Sequence, residues 1–168
     1  MSKIWMSLLG LACITSGTAV FADISVPMYT TSTSEVGISV GNISITETKY
    51  GLLFTPHLHH LTPGLHGFHV HQNPSCGSSG MDAGAHLDPM DAHKHLGPFN
   101  DQGHLGDLPV LYVSADGTAT LPVLAPRLRN VTDIQHHSLM IHEGGDNYSD
   151  MPTKLGGGGA RMECGLVK

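Results

Sequence analysis

Fixed positive charge is scarce in this chain. Among 168 residues only 8 lysines and arginines stand against 14 aspartates and glutamates, a formal net charge of −6. A surface so poor in cations cannot neutralise a phosphate backbone or hold an anionic membrane, so nucleic acid and acidic lipid are excluded as main partners. An anionic small substrate would need a local positive site. Long apolar helical patterns are also few, and the length suits one domain with a full core rather than two. What the chain has in excess is 13 histidines, 21 glycines and 10 prolines. With many short Val/Ile/Leu runs between turn residues, this composition predicts an all-β domain. The surplus of imidazole over fixed cation points to metal.

Residues 1–22 read as a leader. Lys3 is a positive start, Ile4 to Val20 an apolar run, and Val20-Phe21-Ala22 a small-residue cleavage site that leaves Asp23 as the first residue of a 23–168 domain. The run is short for a bilayer anchor. Cys13 follows Gly-Leu-Ala and only faintly resembles a lipoprotein acceptor. Export is therefore expected, and in an oxidising compartment disulfides persist. Cys76 and Cys164 are the cysteines left after cleavage, so within one chain they pair with each other or stay as buried thiols.

Strand-like segments recur at Ile24–Thr30, Gly37–Thr48, Tyr50–Thr55, Gly64–Gln72, Pro109–Ser114, Thr118–Leu124, Ser138–Glu143 and Ala160–Val167. The turn Ala115-Asp116-Gly117 carries a strong hairpin signal. From Asn73 to Leu108 strand periodicity is absent, and a loop of that length is functional or disordered.

Two constellations carry chemistry. In Phe68-His69-Val70-His71 the strand period of two sends both imidazoles one way and both apolar side chains the other, so one ion could take both nitrogens. A solvated polar strand face is the alternative. In the long loop His86, His95 and His104 recur every nine residues, with Asp107 three further on. A polar loop of this kind has little burial to order it, whereas an ion held by three imidazoles and a carboxylate could fold it. His93 has no matching partner and reads as a surface residue. His142 ends the apolar run Leu139-Met140-Ile141.

Taken together, Gly64-Leu-His-Gly-Phe-His-Val-His71, Gly97-Pro98, His104-Leu-Gly-Asp107-Leu-Pro109, Leu124-Ala-Pro-Arg127, His142-Glu-Gly-Gly-Asp146-Asn147 and Gly156-Gly-Gly-Gly-Ala-Arg161-Met-Glu-Cys164-Gly165 resemble the copper/zinc superoxide dismutase family, in its bacterial periplasmic branch. The resemblance spans residues 23–168. It implies an eight-stranded, flattened Greek-key β-barrel, an immunoglobulin-like sandwich with long metal-binding loops; these enzymes are themselves a standard example of that architecture. It implies one copper and one zinc per subunit, with copper on His69, His71, His86 and His142 and zinc on His86, His95, His104 and Asp107. His86 would bridge the two ions, losing its bond to copper and gaining a proton when copper is reduced. Asp146 would hydrogen-bond both His69 and His95, His66 would link loop to strand, and Arg161 would attract and orient superoxide.

The sequence departs from its branch in places. The stretch from Cys76 to His86 is shorter than in many bacterial members, whose longer loop can carry a lysine near the channel, and Lys94 is one remaining candidate for steering. His57, His59 and His60, and His136 with His137, are additional; surface decoration and copper recruitment are the two readings. Tyr50, Leu52 and Phe99 suggest an apolar patch for homodimerisation. Two other functions compete. A copper store without turnover would need neither an anion site nor a shared ligand, and a zinc hydrolase would need an open zinc position and a nearby base.

Overall fold

The computed structural model describes residues 23–33 and 37–168; the expected leader, with Cys13 and its cleavage site, lies outside them. The described residues form strands β1 (Asp23–Thr30), β2 (Ser39–Thr48), β3 (Gly51–Leu58), β4 (Gly64–His66), β5 (Phe68–His71), β6 (Leu111–Val113), β7 (Val123–Ala125), β8 (Ser138–His142) and β9 (Arg161–Leu166). Helix is limited, among them, to single 3-10 turns at Met81–Ala83, Val131–Asp133 and Lys154–Gly157. No helix there is long and apolar enough to cross a membrane.

The strands form a curled antiparallel sheet in the order β5-β8-β9-β1-β2-β3-β7, with β4 and β6 paired beside it. The first three strands meander, then the chain crosses to the far end of the sheet, which is the Greek-key step. One expected strand, Gly64–Gln72, is broken at Gly67: its first half pairs with β6 and its second with β8. Gly67 donates its N–H to Gly144 O at 2.7 Å and accepts from His142 N at 2.8 Å, so this residue binds the end of β8 and the turn that follows it. The Asp-Gly turn forms, with Gly117 N donating to Ser114 O at 2.9 Å. The hairpin expected around it does not: β6 pairs with β4 and β7 with β3. Turn chemistry sets a local reversal but not the partner of each flanking strand.

Alternation along β2 and β3 sends Ile43, Ile45, Leu52 and Phe54 inward, where they join Phe68, Val70, Leu111, Leu139 and Ile141 in one apolar core. The ring of Phe54 meets that of Phe68 edge to face, centroids 5.7 Å apart. Leu52 is thus buried and is removed from the expected apolar patch, leaving Tyr50 and Phe99 exposed. The disulfide joins Cys76 to Cys164 with Cα atoms 5.8 Å apart. It ties the start of the long loop to β9.

Candidate metal centre

Four features of the backbone assemble the centre. First, β5 pairs with β8, so His69 and His71 lie beside Met140 and Ser138 on the ladder that ends in His142. All of β5 is buried, which removes the solvated-face reading of His69 and His71. Second, the long loop runs along the free side of β5. Leu87 N donates to Val70 O at 2.8 Å, Val70 N to Gly106 O at 2.9 Å and Gln72 N to Ala85 O at 2.9 Å. These bonds set His86 opposite His71 and Asp107 opposite His69. Third, the β8–β9 register slips between Ile141 and His142, so that Ile141 faces Glu163 but His142 faces Arg161. The extra residue, Met162, is a bulge, and it brings the guanidinium to the side of the sheet that carries the imidazoles. Fourth, the segment after β8 returns over the loop and delivers Asp146.

The imidazoles stack into one buried cluster. The rings of His69 and His86 lie 3.9 Å apart at 25°, and those of His71 and His142 are 5.6 Å apart at 27°. His69, His71, His86 and His142 each offer a ligand atom within 4.8 Å of the others, and so do His69, His86, His95 and Asp107. His104 stands next to the second group, its Nδ1 3.3 Å from Asp107 Oδ1.

The outward-facing nitrogens decide what the inward ones can do. His69 Nε2 donates to Asp146 Oδ2 at 2.9 Å, His71 Nδ1 to Gly84 O at 3.0 Å and His142 Nδ1 to Gly159 O at 3.3 Å. A neutral ring has one N–H, so the second nitrogen of each is a bare lone pair; His71 Nε2 and His142 Nε2 sit 3.4 Å apart. On the other side His95 Nε2 donates to Asp146 Oδ1 at 2.7 Å, while His95 Nδ1 lies 3.0 Å from Asp107 Oδ2. That close pair is out of line for a hydrogen bond, and His69 Nδ1 and His95 Nδ1 are both buried without one. Buried acceptors facing each other are costly unless a cation stands between them. The donor sets fit the two ions that the residues suggest: all imidazole for copper, imidazole plus carboxylate for zinc.

Electrostatics separate the two groups. Burial pushes His69 down to about 3 and His142 down to about 4, helped in both by the neighbouring His86, so both rings are neutral ligands near neutral pH. Burial works against charge on His95 too, but the carboxylates of Asp107 and Asp146 outweigh it and lift that ring to about 9, so without an ion it holds a proton between the carboxylates, the charge that a bound cation would replace. Asp107 is held far below the usual carboxylate range: His104, His86 and His95 overcome the opposing effect of burial.

Around this cluster sits a supporting frame. Arg161 Nη1 donates to Gly80 O at 2.6 Å and Nη2 to Gly84 O at 2.7 Å, so one carbonyl serves both the guanidinium and His71. His66 joins the His142 and Thr62 carbonyls at 2.7 Å each. Sequence reasoning gave no role to three other residues. Arg127 clamps the zinc-side loop through Gly103 O at 2.9 Å and His104 O at 2.8 Å. Asp150 accepts from His95 N at 2.9 Å, and the Tyr148 hydroxyl accepts from Val110 N at 3.0 Å. Only Arg127 had a signal, its place beside the family-like Leu124-Ala-Pro segment. His93 lies on the surface as expected but has a partner there in Asp91, Lys94 is exposed, His57, His59, His60 and His136 are exposed, and His137 Nδ1 donates to Gln72 O.

Comparison with known proteins gives a consistent answer. Residues 39–167 match the family model of copper/zinc superoxide dismutase. The chain is 54% identical over 171 aligned positions to superoxide dismutase (Cu-Zn) 1 of Salmonella typhimurium, covering 97% of each. The structure resembles that of the Cu/Zn superoxide dismutase from Brucella abortus with a TM-score of 0.84, at 47% identity over 88% of this chain and 100% of the other. It also resembles the solution structure of the monomeric copper, zinc superoxide dismutase from Salmonella enterica, with a TM-score of 0.78 at 51% identity, again over 88% of this chain and 100% of the other. A barrel whose edge strand, bulge and long loop converge on two overlapping ligand groups, matched along nearly its whole length by these relatives, belongs to the copper/zinc superoxide dismutase family.

Proposed function

We propose that His69, His71, His86 and His142 hold copper, and that His86, His95, His104 and Asp107 hold zinc. The chain is a copper/zinc superoxide dismutase, an oxidoreductase that converts superoxide to dioxygen and hydrogen peroxide. One observation carries the assignment. His69 and His86 both belong to the two overlapping ligand groups, but Asp146 already takes the second nitrogen of His69. His86 Nδ1 faces Asp107 at 2.9 Å, and its Nε2 remains for the copper group. His86 is therefore the ring with a nitrogen for each ion, and His104 completes the zinc set in place of His69.

When bound, copper supplies the one-electron change between Cu(II) and Cu(I), while zinc, with no redox chemistry of its own, polarises the shared imidazole and orders the loop. Arg161 draws the anion in and orients it at the mouth of the cluster. His86 Nε2 is the atom that takes up a proton and passes it to the departing peroxide. Asp146 takes the Nε2 side of both His69 and His95, which leaves Nδ1 of His69 bare and makes Nδ1 of His95 the nitrogen from which an arriving ion would displace the proton. Superoxide consumption by the copper- and zinc-loaded protein, against copper-only and metal-free controls, tests this reading. No turnover in the fully loaded form would instead support a copper-binding protein without catalysis.

Residues 1–22 are read as a cleaved signal peptide, 23–168 as the mature domain and the periplasm as its location; the leader-like sequence and the internal disulfide support this. N-terminal sequencing of the protein recovered from the periplasm tests it, and an intact Met1 would refute it. For quaternary structure a homodimer using the exposed Tyr50 and Phe99 is the reading. A single monomeric species on sedimentation at micromolar concentration overturns it.

A further inference from the structure

We propose that His59 and His60 form a separate metal site on the surface, one that takes a divalent late transition ion, Cu(II) above all. The inference rests on no reading of the buried centre. These residues follow β3 directly and both are exposed, yet their Nδ1 atoms lie only 3.0 Å apart with ring planes at 80°. Two nitrogens about 2.0 Å from a shared ion lie roughly 2.8 Å apart at a right angle and roughly 3.3 Å apart at the tetrahedral angle. The observed separation, which in the metal-free protein is that of a hydrogen bond between the two rings, falls between these values, so an ion can take the place of the shared proton with little change in the distance between the nitrogens.

The pair is also held in place. Leu58 exchanges both backbone hydrogen bonds with Ala119, at 3.1 and 3.0 Å, His59 N donates to Val40 O at 2.9 Å, and Leu61 N donates to Gly117 O at 3.1 Å. Leu58 and Leu61 are buried in the core on either side. Between these anchors His60 adopts a left-handed backbone, φ 64°, uncommon for a residue with a side chain. That conformation turns its ring back onto His59. A chelate whose backbone is already fixed loses little entropy on binding. Imidazole ligands and a bite near a right angle favour Cu(II), which stands highest in the divalent series and prefers tetragonal geometry. The exposed His57 sits two positions upstream on the same outward face of the strand.

The test uses the purified protein with its buried sites filled by copper and zinc. Cu(II) is then titrated in, with equilibrium dialysis for stoichiometry and electron paramagnetic resonance for nitrogen ligation. A third equivalent should bind. His59→Ala and His60→Asn, the second keeping a residue that tolerates the left-handed backbone, should each weaken it by about tenfold or more. His93→Ala and His136→Ala, at other exposed histidines, should leave it unchanged. Absence of a third equivalent, or its survival in both His59→Ala and His60→Asn, would overturn the proposal.

Discussion

Removing the cross-link by Cys76→Ala or Cys164→Ala tests how the centre depends on the frame. The two cysteines are 88 positions apart. In the chain-entropy treatment a loop of that length is worth roughly 4.6 kcal/mol at 25 °C, an upper figure because residual structure in the unfolded chain reduces it. For a domain of this size each kcal/mol moves the midpoint by roughly 2 to 4 °C, so the loss is about 9 to 18 °C. Both substitutions delete the same bond, and Cys164 lies in a small cluster with Ala83 and Met140 against which Cys76 packs. The two variants should therefore match to within about 1 kcal/mol, the scatter of a small cavity. Calorimetry of the metal-free proteins avoids stabilisation by bound ions. A second effect should appear in the loaded enzymes: Arg161 is anchored to Gly80 O and Gly84 O in the loop that the bridge secures, so turnover falls even where the fold survives. If either variant melted within about 3 °C of the parent, a bridge closing this loop would not carry the stability assigned to it.

Three further outcomes are expected. Asp107→Ala should lose zinc and keep copper, while His142→Ala should lose activity with zinc retained; metal analysis of the purified variants decides this, and full turnover in His142→Ala would show the copper assignment to be wrong. Arg161→Ala should slow turnover with metal content intact, and Arg161→Glu should slow it further. Since screening acts over about 8 Å at physiological salt, both should respond less steeply to ionic strength than the parent, or in the opposite sense, in pulse radiolysis; equal rates at every salt concentration would exclude guidance by Arg161. The metal-free protein should lose stability as pH falls from about 6.5, because His69 and His142 are depressed to about 3 and about 4 in the fold. The unfolded chain binds protons first over that window, so their contribution is present above it and lost through it; a midpoint flat from pH 7 to 4 would contradict this.

The parts of the centre legible in the sequence are those with a short period or a motif. His69 and His71 follow from strand alternation, and the nine-residue recurrence of His86, His95 and His104 marks the loop. Their meeting point was legible only through the resemblance to a family and not from period or spacing, because it depends on which backbone the loop lies against: Asp107 reaches His69 through hydrogen bonds along β5, a pairing of residues 38 positions apart. The bulge at Met162 that sets Arg161 against His142 likewise has no local signature, and neither does the break at Gly67. The Asp-Gly turn shows the converse, a strong local signal whose flanking strands find other partners. Leu52 alternates with Leu53 along β3, so its inward direction depends on a register that composition does not give.

The position of β5 at the end of its sheet has a consequence for the protein before it is loaded. An edge strand presents unpaired N–H and C=O groups to any other chain that can align with it. Here the long loop occupies that edge through hydrogen bonds to Val70 and Gln72, and the same loop carries all four zinc-side ligands. Metal supply is thereby coupled to solubility: a chain short of metal loses one of the forces that hold the cover against this edge, and should be more prone to associate strand to strand than the loaded protein.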